Sequence, residues 1–145
     1  MDRERIRPIV VCLLSRGERI LVSEAYDSAK RDYFCRPLGG GIHFGEHSRD
    51  AVLREIREET GAEVENLRLV GVLENIFTYE GEPGHEIVFV YDAEFADKAL
   101  YEGGGLQCYE SEIDVSFVAR WQSPDEIRRG NVRLVPEPLA ELLKK

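Results

Sequence analysis

The chain has 145 residues, 43% of them hydrophobic, enough for one globular domain with a substantial core. Its net charge of −9 weighs against general nucleic-acid binding, which needs a basic stripe, and no apolar run approaches bilayer-spanning length, so no membrane partner is expected. Cys12, Cys35 and Cys108 form neither a zinc spacing nor a disulfide framework, and Met1-Asp2-Arg3-Glu4-Arg5 is charged and leads into a short apolar strand and not a signal peptide, so a cytoplasmic location is expected.

Pro8 to Leu14 is a compact apolar run that predicts a buried strand. Ser15-Arg16-Gly17-Glu18 reads as a turn, and Arg19 to Ala25 returns as its hairpin partner. A polar loop, Tyr26 to Arg31, leads to a short strand from Asp32 to Leu38, which delivers a loop containing Gly39-Gly40-Gly41; Pro37 fixes the approach. His47 to Thr60 lacks Gly and Pro and stops at Gly61, a residue suited to a left-handed C-cap, so it predicts a helix.

That helix carries the chemistry. Steps of about 100° per residue place Glu55, Glu58 and Glu59 within roughly 100° of one another. Val52, Leu53 and Ile56 occupy a neighbouring arc, so one side is expected to pack on a sheet and another to present carboxylates. Glu55 and Glu59 are a like-charged i,i+4 pair, unfavourable by a few tenths of a kcal/mol. A hard cation relieves such repulsion: Mg²⁺ takes carboxylate oxygens and bridges to phosphates. Bound metal also polarises a phosphoryl oxygen and activates water. Glycines let backbone approach a ligand and offer it a carbonyl. A lone Glu pair on a helix is ordinarily a solvated face, but such a face has no need of Gly39 to Gly41, Gly45 and Gly61 at these offsets.

Further along, Glu63 to Val72 is extended, and Glu74 to Tyr79 with His85 to Phe95 forms a pair joined by Glu80-Gly81-Glu82-Pro83-Gly84. Ile87, Phe89 and Tyr91 alternate with Val88, Val90 and Asp92, nearly all apolar, which predicts a strand covered on both faces. Asp97 to Asp114 is the least regular stretch, and its Gly103-Gly104-Gly105 run suits a mobile lid. Val115 to Trp121 is a last strand. Ser123-Pro124-Asp125-Glu126 opens a short helix with a capping box, and Pro136 to Lys144 predicts a second. This order favours an α/β fold with a mixed sheet between helices.

Gly40-Gly41-Ile42-His43-Phe44-Gly45-Glu46, seven residues, then Arg54-Glu55-Ile56-Arg57-Glu58-Glu59-Thr60-Gly61-Ala62 resembles the signature of the Nudix hydrolases. Every charged and glycine position is filled. Ala62 stands where a larger aliphatic residue is usual, and His43 where many members carry Glu. The resemblance implies a single Nudix hydrolase domain over residues 1–145, an α/β/α sandwich with a mixed β-sheet. It further implies a metal-dependent hydrolase cleaving a pyrophosphate bond in a nucleoside diphosphate linked to another moiety, a small nucleotide suiting this short acidic chain best. Mg²⁺ or Mn²⁺ would be held by Glu55, Glu58, Glu59 and the carbonyl of Gly39, just before the box glycine Gly40. Arg54 would orient the acids, Glu46 would help fix that arrangement, and the general base would be Glu58 or Glu55. A further acid from a later loop is common in the family; Glu86, Glu102, Glu110 and Glu112 are all candidates.

Outside the box, Arg36 can meet a phosphate, and Phe77 or Tyr79 can stack on a base or ribose. A homodimer pairing the strand that ends near Phe95 is compatible with the sequence. The competing reading is a catalytically silent Nudix-like nucleotide sensor; the intact set of acids argues against it, since pure binding does not require all of them.

Overall fold

The computed structural model describes residues 4–143; residues 1–3 and 144–145, which the predicted domain includes, and with them the predicted end of the last helix at Lys144, lie outside them. The elements are β1 (Ile6–Arg16), β2 (Arg19–Asp27), β3 (Asp32–Gly41), α1 (Ser48–Thr60), β4 (Val64–Tyr79), β5 (Glu82–Phe95), a 3-10 turn (Lys98–Tyr101), β6 (Gly105–Glu110), β7 (Val115–Gln122), α2 (Pro124–Arg129), β8 (Val132–Leu134) and α3 (Leu139–Leu143). The strands run β4-β5-β1-β3-β2-β7-β6, with β8 beside β3. Parallel β1–β5 and β3–β8 pairs among antiparallel neighbours make the sheet mixed.

The apolar run of β1 explains the layering. Side chains alternate across a strand, and β1 is covered on both faces. Val10, Cys12 and Leu14 pack with Ala51, Val52 and Ile56 of α1. Ile9, Val11 and Leu13 pack with Val88, Val90 and Leu139, the last from α3. Ile127 of α2 closes a third cluster with Ile20, Val22 and Cys35. Each fully buried aliphatic side chain contributes about 1.5–3 kcal/mol, so the helices are fixed to opposite faces of the sheet, as an α/β/α sandwich requires. No helix among the described residues is long and apolar enough to cross a membrane.

Several elements differ from the sequence expectation. Gly39 to Gly41 are not a loop: they end β3 and pair with Val11, Val10 and Ile9 of β1. β3 enters alongside β2 and leaves alongside β1, so β1 and β2 meet only at Ser15–Ile20 and Arg16–Arg19. The two extended segments before Tyr79 are one strand, β4, because β5 supplies a continuous partner while β4 carries two irregularities in register. The turn to β5 is tight, with Glu80 (φ 52°) and Gly81 (φ 79°) both left-handed, as a two-residue hairpin needs. The stretch read as irregular holds β6, zipped onto β7 from Gly105 to Glu110. Three-residue β8 lies in a segment with no strand-like run. The capping box at Ser123 forms as predicted, whereas the last helix contracts to Leu139–Leu143.

Candidate active site

α1 starts where Ser48 Oγ meets the hydroxyl of Tyr91 at 2.6 Å, and it ends at Gly61 (φ 75°), whose N–H caps the Arg57 carbonyl. Its buried residues are Ala51, Val52, Glu55, Ile56 and Glu59; Leu53 is only half-buried. The expectation of separate packing and carboxylate faces therefore needs correction. Glu55 (4% exposed) and Glu59 (7%) lie on the packed arc, against the sheet, while Glu58 projects from its edge with a side chain 43% exposed.

Glycine makes this placement possible. A methyl group on Gly40 would sit 2.6 Å from the Glu55 carboxyl carbon, and one on Gly39 would overlap the Val10 carbonyl oxygen. The strand thus lacks side chains where the helix delivers its acids. Gly40→Ala should push the Glu55 carboxylate off the strand. The expected result is a loss of turnover of about 100-fold with a stability change under about 2 kcal/mol, checked by kcat and urea unfolding on the same preparation.

Arg54 organises the acids. Its Nε donates to Glu46 Oε2 (2.8 Å), its Nη1 to Glu55 Oε2 (2.9 Å) and Glu58 Oε1 (3.1 Å), and its Nη2 to Glu46 Oε1 (3.0 Å) and the Gly41 carbonyl (2.9 Å). The forked guanidinium suits this task because its donors are planar and fixed. Glu46 also accepts from the His43 N–H, and hydrogen bonding to Arg54 above all holds its carboxyl down at about 2. Arg54 and Glu46 therefore form one rigid clamp joining β3, the box loop and α1.

Electrostatics separate the acids. Burial raises the Glu55 carboxyl, outweighing its bonds to Arg54. Glu59 is pushed up to about 8 by burial first and then by the charges of Glu55 and Glu110; Arg36 and a hydrogen bond from the Gly39 backbone pull the other way. Glu59 Oε1 is buried without a hydrogen-bond partner, an arrangement that costs stability unless a positive charge completes it. As their rotamers stand, no three His, Cys, Asp or Glu side chains among the described residues close on one point as an ion cage. In chemical type the donors nonetheless suit a hard cation: carboxylate and backbone carbonyl oxygens only, with one buried oxygen unpartnered.

Of these groups, Glu55 and the glycine strand border a small cleft that is partly open to solvent. Arg36, Gly39, Gly40, Gly41 and Glu55 line it, together with Arg7, Glu86, Glu110 and Glu112. Arg36 therefore stands on the cleft beside the glycine strand. Phe77 does not line the cleft; its ring lies against Gly84 of β5, which has no side chain to hold it off. Among the four candidate later acids, Glu110 at the end of β6 is the one whose charge acts on both Glu55 and Glu59. Sequence could not select it because β6 was not recognised; Cys108, buried two residues earlier against the α1 core, is the signal that marks the strand's inner face. Arg7 was missed altogether. It pairs with Glu86 across β1 and β5, and a charged residue at the head of an apolar strand gives no hint of facing a cleft.

A NUDIX-domain model matches residues 5–143. The NAD-capped RNA hydrolase NudC of Pseudomonas fluorescens is 29% identical over 110 residues, covering 76% of this chain and 35% of that protein. NudC of Haemophilus influenzae is 32% identical over 127 residues, covering 83% of this chain and 40% of that protein. The chain thus spans well under half the length of these relatives. Among solved structures, a NUDIX hydrolase from Nitrosomonas europaea superposes with a TM-score of 0.66 at 17% identity, covering 97% of this chain and 87% of that one. A MutT NUDIX hydrolase from Burkholderia pseudomallei gives 0.59 at 26% identity, covering 84% and 86%.

Proposed function

The chain belongs to the Nudix hydrolases, enzymes that hydrolyse diphosphate bonds, and on that footing we propose that it cleaves the diphosphate of a small nucleoside-diphosphate derivative with Mg²⁺ or Mn²⁺. The observation that carries this reading is the buried Glu59 carboxyl, one oxygen of it without a partner, under the charges of Glu55 and Glu110 beside a strand of glycines.

Glu55, Glu58, Glu59 and the Gly39 carbonyl would hold the metal, with Glu110 as the further acid. When bound, the metal supplies positive charge to phosphoryl oxygens and lowers the pKa of water. The chain's own groups do the rest. Arg54 keeps Glu55 and Glu58 from turning away, and Glu46 anchors Arg54. Arg36, exposed at the cleft and already felt by Glu59, meets a phosphate oxygen of the substrate. Glu58 keeps Oε2 free of Arg54 and stands open to solvent, which favours it over Glu55 as the group that takes a proton from attacking water.

The relatives named NAD-capped RNA hydrolase add a longer substrate to consider. The net charge of −9 favours the small nucleotide over an RNA backbone. A hydrolysis panel tests the proposal: nucleoside triphosphates, nucleotide sugars, ADP-ribose, NAD and NAD-capped RNA, each with Mg²⁺, Mn²⁺ or EDTA. Metal-dependent release of a nucleoside monophosphate from at least one small nucleotide is expected. Ligand-induced stabilisation with no product in any metal favours the silent sensor instead.

A further inference from the structure

Glu86 has no part in the acid cluster, yet it lines the same cleft as Glu55 and Gly40. It is only 8% exposed, unusual for a glutamate on a strand. It is also fixed in place. Asn75, opposite it on β4, donates Nδ2 to Glu86 Oε1 at 3.2 Å, and Arg7, opposite it on β1, brings Nη1 within 3.9 Å of Oε2. Three neighbouring strands thus hold one carboxylate at the cleft wall.

We propose that Glu86 accepts hydrogen bonds from the ribose hydroxyls of the substrate, making the enzyme selective for ribonucleotides over deoxyribonucleotides. This rests on the diphosphate reading above. A carboxylate is an acceptor only, with about four lone-pair positions. One is taken by Asn75, and the charge is balanced by Arg7, so the remaining capacity suits neutral O–H donors better than a second cation. In a nucleoside diphosphate the group next to the diphosphate is the sugar, and a vicinal diol presents two donors at carboxylate spacing. Acidic side chains recognise ribose 2′-hydroxyls in the same way in dinucleotide-binding folds. Arg7 also shields the bound diphosphate from the Glu86 charge. Asn75 acts through Glu86 and is a positioning residue.

The test uses the full chain with Mn²⁺, comparing kcat/KM on the four ribonucleoside triphosphates and on their 2′-deoxy counterparts, with ADP-ribose as a further ribonucleotide and calorimetric binding measured alongside. The wild type should prefer the ribo form by about 10-fold or more, because a site built to bond a hydroxyl rejects the analogue lacking it. Glu86→Ala should lose far more on the ribo than on the deoxy substrates, bringing the ratio near one. Glu86→Gln, which keeps the shape and one acceptor oxygen, should fall between and covers the case in which the alanine variant does not fold. A ribo/deoxy ratio near one in the wild type, or a ratio unchanged in both variants, overturns the sugar assignment while leaving the diphosphate reading intact. A loss in the variants that depends on the base and not on the sugar overturns it in favour of base recognition. Absence of both turnover and binding in the wild type overturns the diphosphate reading and the sugar assignment together.

Discussion

Glu58→Gln combined with Glu59→Gln should reduce turnover by about 1,000-fold or more, since removing groups that hold charge in a transition state costs several kcal/mol. The fold should survive, because Gln fills the same space and Glu59 packs as an uncharged group would. Metal-free stability should even improve at alkaline pH. The Glu59 carboxyl is pushed up from 4.5 to about 8 by burial and by Glu55 and Glu110. Between those values the folded chain retains a proton that the unfolded chain has lost, so stability falls as pH rises. The metal-free wild type should therefore lose on the order of 3 kcal/mol between pH 5 and pH 8.5 from this group, and Glu55, raised in the same direction, adds to the fall. The double variant should show a much shallower slope in thermal unfolding. Added Mn²⁺ should raise the wild-type Tm at pH 8.5 and leave that of the variant nearly unchanged. A wild-type Tm that climbs over this pH range without metal contradicts the buried-acid description.

Arg54→Ala carries the second large effect. Arg54 makes five hydrogen bonds that tie Glu46, Glu55 and Glu58 to the strand carbonyl of Gly41. Its removal leaves Glu55 buried beside Glu59 without the cation that partners it. The expected cost is about 3 kcal/mol in urea unfolding, typical of breaking a buried pair by removing one partner, and a loss in kcat/KM of at least about 100-fold. Arg54→Lys should recover most of the stability but little of the activity, because an ammonium cannot reach three carboxylates and a carbonyl at once. Full activity in the lysine variant would show that charge alone, and not the forked geometry, organises the acids.

The residues of the box were readable because each responds to a local constraint. Gly61 caps a helix, Arg54 and Glu46 fit each other as a clamp, and the apolar arc of α1 fixes which way it turns. The depth at which the acids sit was not readable. Helical angle alone puts Glu55 and Glu59 near the edge of the packed arc; that they go under depends on Gly39 and Gly40 lying in a paired strand, which is settled by the register of β3 against β1. Register is a long-range property that a single segment does not encode. The same holds for Glu110, whose position depends on β6 pairing with β7, and for Arg7 and Glu86, which meet only through the parallel β1–β5 pair. Phe77 shows the converse: an aromatic residue beside a recognisable motif was drawn to a backbone gap at Gly84 and not to the cleft.

The central claim is that this acid cluster captures a divalent cation for use against a diphosphate. Titration of Mn²⁺ followed by the free-ion electron paramagnetic resonance signal, on wild-type protein and on the Glu58→Gln/Glu59→Gln variant, tests it most directly. The account predicts strong, saturable loss of the free-ion signal with the wild type, tightened by a non-hydrolysable methylene-bridged nucleotide, and little or none with the variant. Equal ion uptake by both proteins, or none by the wild type at any nucleotide concentration, contradicts it.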